Sequence, residues 1–211
     1  MSEIDIFKKM LEAEERRKRR EKSLVNVIEI RKVLPCLTTP GYIRFEAMAD
    51  REIGEVIPLI FLQFPLGRSH YNPAEGTLTL NIYNRMITLH PDGRVAVTNT
   101  RDLEEAGEVL EKIKSFINKA YSTYLRTGPP GEDAVEAAMK ISWMDIYQHL
   151  PKTNCGECGY PTCQALALKA LLGEAKLSQC PRLTEAKYLS SRNGLKRDLG
   201  PFLAKTLGLD I

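Results

Sequence analysis

The chain has 211 residues, 43% of them hydrophobic and 27% charged, with a formal net charge of +3, a composition expected of a soluble globular protein. The charge is concentrated between Lys8 and Lys22, where eight basic residues face four acidic ones, so the remainder nets about −1 and a uniformly basic nucleic-acid binder is excluded. The longest apolar run, Val56 to Leu62, is too short for a membrane span and contains a proline, so no membrane insertion is expected.

The first 23 residues are expected to form a basic helical arm. Ile4, Phe7 and Leu11 recur at helical spacing, and Glu12–Arg16, Glu14–Lys18 and Glu15–Arg19 are i,i+4 pairs in the favourable order, which predicts a helix over about 4–22. The interleaved acids read as a solvated face, with contact to nucleic acid or an acidic partner as the alternative. Met1-Ser-Glu-Ile-Asp-Ile-Phe7 lacks the order of a signal peptide, so a cytoplasmic location is expected. Thiols stay reduced there, and clustered cysteines read as metal ligands before disulfides.

Residues 24–126 are expected to form an α+β domain. Ser23–Ile30 and Gly41–Glu46 run or alternate as strands do, punctuated by Pro35, Pro40 and Gly41. Arg51 to Gln63 has helical character, which Pro58 is expected to break or kink. Gly76–Tyr83, Met86–Leu89 and Arg94–Thr98 follow as short strands, separated by Tyr83-Asn-Arg85 and His90-Pro-Asp-Gly93. Asp-Gly in so short a loop favours a hairpin, so an antiparallel meander is predicted. Asp102 opens a long helix with Glu105 placed for a capping box, and a stripe from Leu103 through Ala106, Val109, Leu110, Ile113, Phe116, Ile117, Ala120 and Tyr121 to Tyr124 would cover one sheet face. The Tyr71-Asn-Pro-Ala-Glu75 and Asp92-Gly-Arg-Val-Ala-Val-Thr-Asn99 segments and this element order resemble one half-repeat of the TATA-binding-protein fold. A single half-repeat leaves a face or edge uncovered, so pairing with a second copy, as a homodimer, or with the region that follows is expected.

Thr127-Gly-Pro-Pro-Gly131 marks a linker over 127–132. A helix over about 133–150 then leads into a cluster domain expected over 133–190, and 191–211 is expected to be a C-terminal tail. Cys155, Cys158, Cys163 and Cys180 are spaced C-x2-C-x4-C-x16-C. Four thiolates are the ligand set of one [4Fe–4S] cluster. Gly156 and Gly159 let backbone N–H groups approach inorganic sulfur. Thr162 is placed to cap a helix whose first turn carries Cys163, and its positive end favours an anionic cluster. Pro181 restrains Cys180 to an extended backbone. Structural zinc is the alternative, although zinc ribbons usually present two C-x2-C knuckles and this chain has one. Cys36, far away in sequence, reads as a small apolar residue or a spare thiol.

The stretch from Tyr147 through Cys155-Gly-Glu-Cys158-Gly-Tyr-Pro-Thr-Cys163 to Cys180-Pro181 resembles the four-iron domain of the corrinoid iron–sulfur protein of the acetyl-CoA decarbonylase/synthase pathway, and related domains of anaerobic electron-transport subunits. The resemblance implies one [4Fe–4S] cluster on Cys155, Cys158, Cys163 and Cys180. It covers about 40 residues. The remainder lacks that family's long α/β stretch, and His70, His90 and His149 lie outside any Asp-x-His-x-x-Gly pattern. No second ferredoxin quartet, radical C-x3-C-x2-C triplet, phosphate loop, dinucleotide fingerprint or catalytic constellation accompanies the motif. The expected function is therefore one-electron transfer, or redox accessory work for an anaerobic enzyme, with a redox protein as partner. The alternative is a nucleic-acid-binding or regulatory module with a structural or sensing cluster.

Overall fold

A computed structural model describes residues 23–209; the helical arm expected over 4–22 lies outside the described residues. Six strands make one antiparallel sheet in the order β1-β2-β6-β5-β4-β3. They are β1 (Ile28–Pro35), β2 (Ile43–Ala49), β3 (Ser69–Asn72), β4 (Thr77–Ile82), β5 (Arg85–Leu89) and β6 (Arg94–Thr100). The helices are α1 (Ile57–Gln63), α2 (Leu103–Thr127), α3 (Glu132–Lys140), α4 (Trp143–Tyr147), α5 (Cys163–Leu171) and α6 (Leu189–Thr206), which gives the expected α+β class.

Period-two alternation decides which sheet face is covered. Phe45 and Ala47 of β2, Leu78 and Leu80 of β4, Ile87 and Leu89 of β5, and Val95 and Val97 of β6 all turn inward and are buried. The meander β3 to β6 is the predicted one with an added first strand. Ser69–Asn72 is too short and polar to announce itself, and only its pairing with β4 makes it a strand. Tyr83 and Asn84, both with positive φ, form the β4–β5 turn, and Gly93 closes the β5–β6 hairpin.

The first strand starts later than predicted. Val25 is tied to α2 instead, its N–H donating to Asn118 Oδ1 at 2.9 Å while Asn118 Nδ2 donates to the Val25 carbonyl at 2.7 Å. The Asn26 N–H donates to Asp50. Free to begin at Ile28, β1 runs on to Pro35, which an edge strand tolerates.

Pro58 does not break the predicted helix; it sits at the start of α1, where a missing N–H costs nothing. Residues 54–56 before it form a 3-10 turn. Ile57, Leu59, Ile60, Phe61 and Leu62 are buried, so α1 is a core helix. Asp102 caps α2 by accepting the Glu105 N–H at 2.8 Å, while Glu105 reaches back to the Arg101 N–H and pairs with Arg85 at 2.5 Å. Ala106, Val109, Leu110, Ile113, Ile117 and Ala120 of α2 are buried as the stripe predicts. Leu103, at the first position of α2, is exposed.

The helix expected over 133–150 is two helices. Ile141 and Ser142 are extended, and Ser142 starts α4 afresh by donating its N–H (2.8 Å) and hydroxyl (2.6 Å) to Asp145. The described part of the expected tail over 191–211 is largely helical. Helix α6 fills much of it, and Leu195, Leu199, Leu203 and Leu207 are buried. Gly200 (φ 68) interrupts the helix just before Pro201. One hydrophobic core runs from the sheet through α1 and α2 to α5 and α6. None of the described helices is long and apolar enough to cross a membrane.

Candidate metal centre

The cysteine segment is built from turns that only a few residue types accept. Lys152 and Asn154 hold positive φ angles, as do Gly156 (φ 75) and Gly159 (φ 85). A Cβ on either glycine would meet nothing within 4 Å, so backbone angle rather than crowding selects glycine there. The Gly159 N–H donates to the Gly156 carbonyl at 2.9 Å and closes a turn around Cys158. Asn154 Oδ1 accepts the Cys163 N–H at 2.9 Å, which joins the start of the segment to the start of α5. Thr162 caps α5 as the sequence predicts, accepting the Ala165 N–H at 3.0 Å. On the return path, 3-10 turns at Leu177–Gln179 and Pro181–Thr184 flank Cys180.

Cys158 and Cys163 lie near enough to Cys180 to act on its thiol. Cys163 and Cys180 are buried and Cys158 is half-buried. Burial pushes the Cys180 thiol above its usual range, and negative charge on Cys158 and Cys163 adds to the rise. The Leu183 and Arg182 N–H groups act against that rise. Cys155 is exposed and stands in a different field. The Glu157 N–H, then the Thr153 hydroxyl and the Arg182 guanidinium, hold its thiol below the usual range. Among the described residues, no three His, Cys, Asp or Glu side chains are gathered closely enough to hold a single metal ion.

Arg182 was not singled out from the sequence. Its Nη2 donates to Glu157 Oε1 at 2.5 Å and its Nη1 to Glu185 at 3.2 Å, and Glu157 followed by Cys155 raises its pKa. Its Nε is buried without a hydrogen-bond partner. The only sequence signal was an arginine two residues after one cysteine and a glutamate between two others.

Residues 150–182 match the family model described as "Putative Fe-S cluster". The chain carries an iron–sulfur cluster domain. It is 48% identical over 62 residues to the acetyl-CoA decarbonylase/synthase complex subunit gamma of Methanocaldococcus jannaschii, covering 29% of this chain and 13% of that protein. It is 41% identical over 69 residues to the corrinoid/iron-sulfur protein large subunit of Moorella thermoacetica, covering 33% and 15%. A gamma 1 subunit from Methanosarcina thermophila is 46% identical over 74 residues, covering 34% and 16%. The chain thus spans about one-sixth or less of the length of these relatives. No solved structure matches it, and the half-repeat resemblance remains a sequence pattern.

The remaining candidates lie elsewhere. Cys36 is a half-exposed thiol just past the end of β1, not a buried apolar residue, and Thr38 beside it lowers its pKa to about 6. His70 is exposed on β3 and His90 precedes the β5–β6 turn. His149 Nε2 lies 2.7 Å from Asp198 Oδ2, and its ring rests on Gly194, where a Cβ would come within 2.9 Å of it. That contact holds the segment before the cysteines against α6.

A junction joins the cysteine region to the sheet. Helix α5 ends in a Schellman motif, with the Gly173 N–H donating to Ala170 O and the Glu174 N–H to Lys169 O. Arg68 Nε donates to the Leu172 carbonyl at 2.8 Å. Glu174 accepts from Arg68 and from Lys169, the latter at 2.5 Å, and these two cations lower its pKa, Lys169 the more. The C-terminal end of α5 is thereby clamped onto the loop that follows α1.

Proposed function

We propose that Cys155, Cys158, Cys163 and Cys180 hold one [4Fe–4S] cluster, and that the protein passes single electrons to a partner protein of an anaerobic enzyme system. The match of residues 150–182, which contain all four cysteines, to the iron–sulfur family model carries this reading, with Cys158 and Cys163 near enough to Cys180 to act on its thiol. The donor set suits the group: four thiols, N–H groups aimed at Cys155 and Cys180, a helix start at Cys163, and the orphaned Arg182 Nε. Bound there, the cluster would supply a one-electron couple. The chain's own contribution is to seat an anionic group on a helix N-terminus, shield it with buried residues such as Leu166 and Ala167 of α5, and leave the Cys155 corner open to a partner. Four protein thiolates leave no open iron position for a substrate, which favours electron transfer over Lewis-acid catalysis. The relatives named as acetyl-CoA decarbonylase/synthase subunits support a complex of that kind as the setting.

Anaerobic purification should yield about four iron and four sulfide per chain, with a paramagnetic signal on one-electron reduction. Stoichiometric zinc after anaerobic reconstitution would overturn the reading. Arg182→Leu is expected to keep the iron but lower the midpoint potential by ~30–60 mV, a factor of roughly three to ten in the couple. A cation that stabilises the more negative reduced state is lost. Redox titration followed by visible absorbance reads the shift, and Arg182→Lys should recover part of it.

A further inference from the structure

On the side of α2 away from Asn118, two adjoining cavities of about 340 and 610 Å³ share Phe64, Phe116 and Lys119. All the charged residues lining them are cations: Arg85 and Lys112 in the first, Arg126 and Lys205 in the second, and Lys119 in both. Arg85 is neutralised by Glu105, and Lys112 lies over the Tyr83 ring at 5.4 Å. Among the described residues, Lys119, Arg126 and Lys205 enter no ion pair and are exposed. The floor between the cations is apolar, formed by Phe64, Phe116 and Phe202 with Ile82 and Val109.

The spacing of the cations says what would cover this groove. Lys112, Lys119 and Arg126 recur every seven residues along α2, so the row is ~21 Å long with ~10 Å between charges. A helix lying alongside α2 presents one acidic position per heptad at that same interval. A nucleic-acid strand carries a phosphate every ~3.4 Å of axis, a much finer repeat. The aromatic rings point the same way. Phe64 and Phe116 are packed edge to face on each other, with centroids 5.1 Å apart and planes at 76°, and so fill the floor rather than offer parallel faces for bases to stack on.

We infer that this groove docks an acidic amphipathic helix of a protein partner, its apolar face on Phe64, Phe116 and Phe202 and its acids along Lys112, Lys119, Arg126 and Lys205. The far wall is tied to the cysteine region. Lys176 Nζ donates to the Thr206 carbonyl at 2.6 Å, and the Leu177 N–H, three residues before Cys180, donates to the Leu207 carbonyl at 2.8 Å. A helix seated here therefore rests on the strut that positions Cys180.

The test uses the full chain and three fluorescein-labelled probes. One is a three-heptad peptide with Leu at a and d and Glu at e and g, the second its Lys-for-Glu counterpart, and the third a 15-nucleotide single-stranded DNA. Anisotropy at low salt should show micromolar binding of the acidic peptide alone. The double variant Lys119→Glu/Arg126→Glu should weaken it at least tenfold, and Lys32→Glu, on the edge strand β1, should leave it unchanged. Both α2 side chains are exposed, so an unchanged circular dichroism spectrum is expected and verifies folding. The inference is overturned if the acidic peptide does not bind, if the double variant binds it as well as the parent, or if the DNA binds more tightly than the peptide. Binding is read with or without iron present, so the outcome is separable from the fate of the cluster proposal.

Discussion

Cys180→Ala is expected to strip the iron from the protein, leaving less than about a quarter of the parent content after anaerobic reconstitution. Cys180 is buried between two 3-10 turns, so neither water nor an added thiol can reach the position it vacates. Metal binding and folding are coupled in small cluster regions, and the loss should also lower the unfolding midpoint of the holo protein. Cys155→Ala provides the contrast. Its thiol is exposed, so a small exogenous thiol such as 2-mercaptoethanol can take its place and restore part of the iron. Cys36→Ala should leave the iron unchanged, because that residue lies beside the edge strand of the sheet. Iron and sulfide assays on the three variants measure the contrast. Equal iron in Cys180→Ala and the parent protein would remove that cysteine from the ligand set.

Gly173→Ala is expected to cost about 2–4 kcal/mol of stability, read as a lower urea midpoint with an unchanged slope. Two penalties add. Gly173 has φ +72, which an L side chain adopts at a cost of about 1 kcal/mol. Its Cβ would also stand 2.3 Å from Pro65 Cγ and 2.9 Å from Pro65 Cβ, and a proline ring cannot swing aside. Gly128→Ala separates the two. Gly128 caps α2 with φ +77 and ψ −174, a region open essentially to glycine alone, but a Cβ there meets nothing within 4 Å, so only a backbone cost of about 1–3 kcal/mol applies. The clash also bears on the cluster. Pro65 and Arg68 form the clamp on the end of α5, and α5 begins at Cys163, so a displaced helix end moves Cys163 relative to Cys180. Reduced iron retention in Gly173→Ala, but not in Gly128→Ala, is the expected companion result.

Local chemistry was legible throughout. The Thr162 and Asp102 caps, the Asp92-Gly93 hairpin and the inward stripe of α2 each depend on residues within a few positions of one another, and the C-x2-C-x4-C-x16-C spacing is confined to one 26-residue segment. Their hydrogen bonds and periodicities are therefore written in contiguous sequence. Errors arose where a local signal was weak or a distant partner overruled it. Strand β3 exists because β4 pairs with it, and β1 starts late because Asn118, 93 residues away, claims Val25. The helix expected over 133–150 divides where Ser142 finds Asp145. Residues 191–211 carried too irregular a pattern to be read as a core helix, whereas in the fold α6 packs on α1, with Thr206 donating to the Leu62 carbonyl.

The sequence by itself determined the candidate ligand set, the class of cofactor and the α+β architecture, because ligand type and spacing, caps and periodicity are short-range properties. The tertiary structure alone decided how the set is held: Arg182 between Glu157 and Cys155, Pro65 against Gly173, and Arg68 on the end of α5. It alone also brought the cations of α2 and α6 to one groove. Each of these contacts joins residues from 25 to more than 100 positions apart, so none of them is written in contiguous sequence.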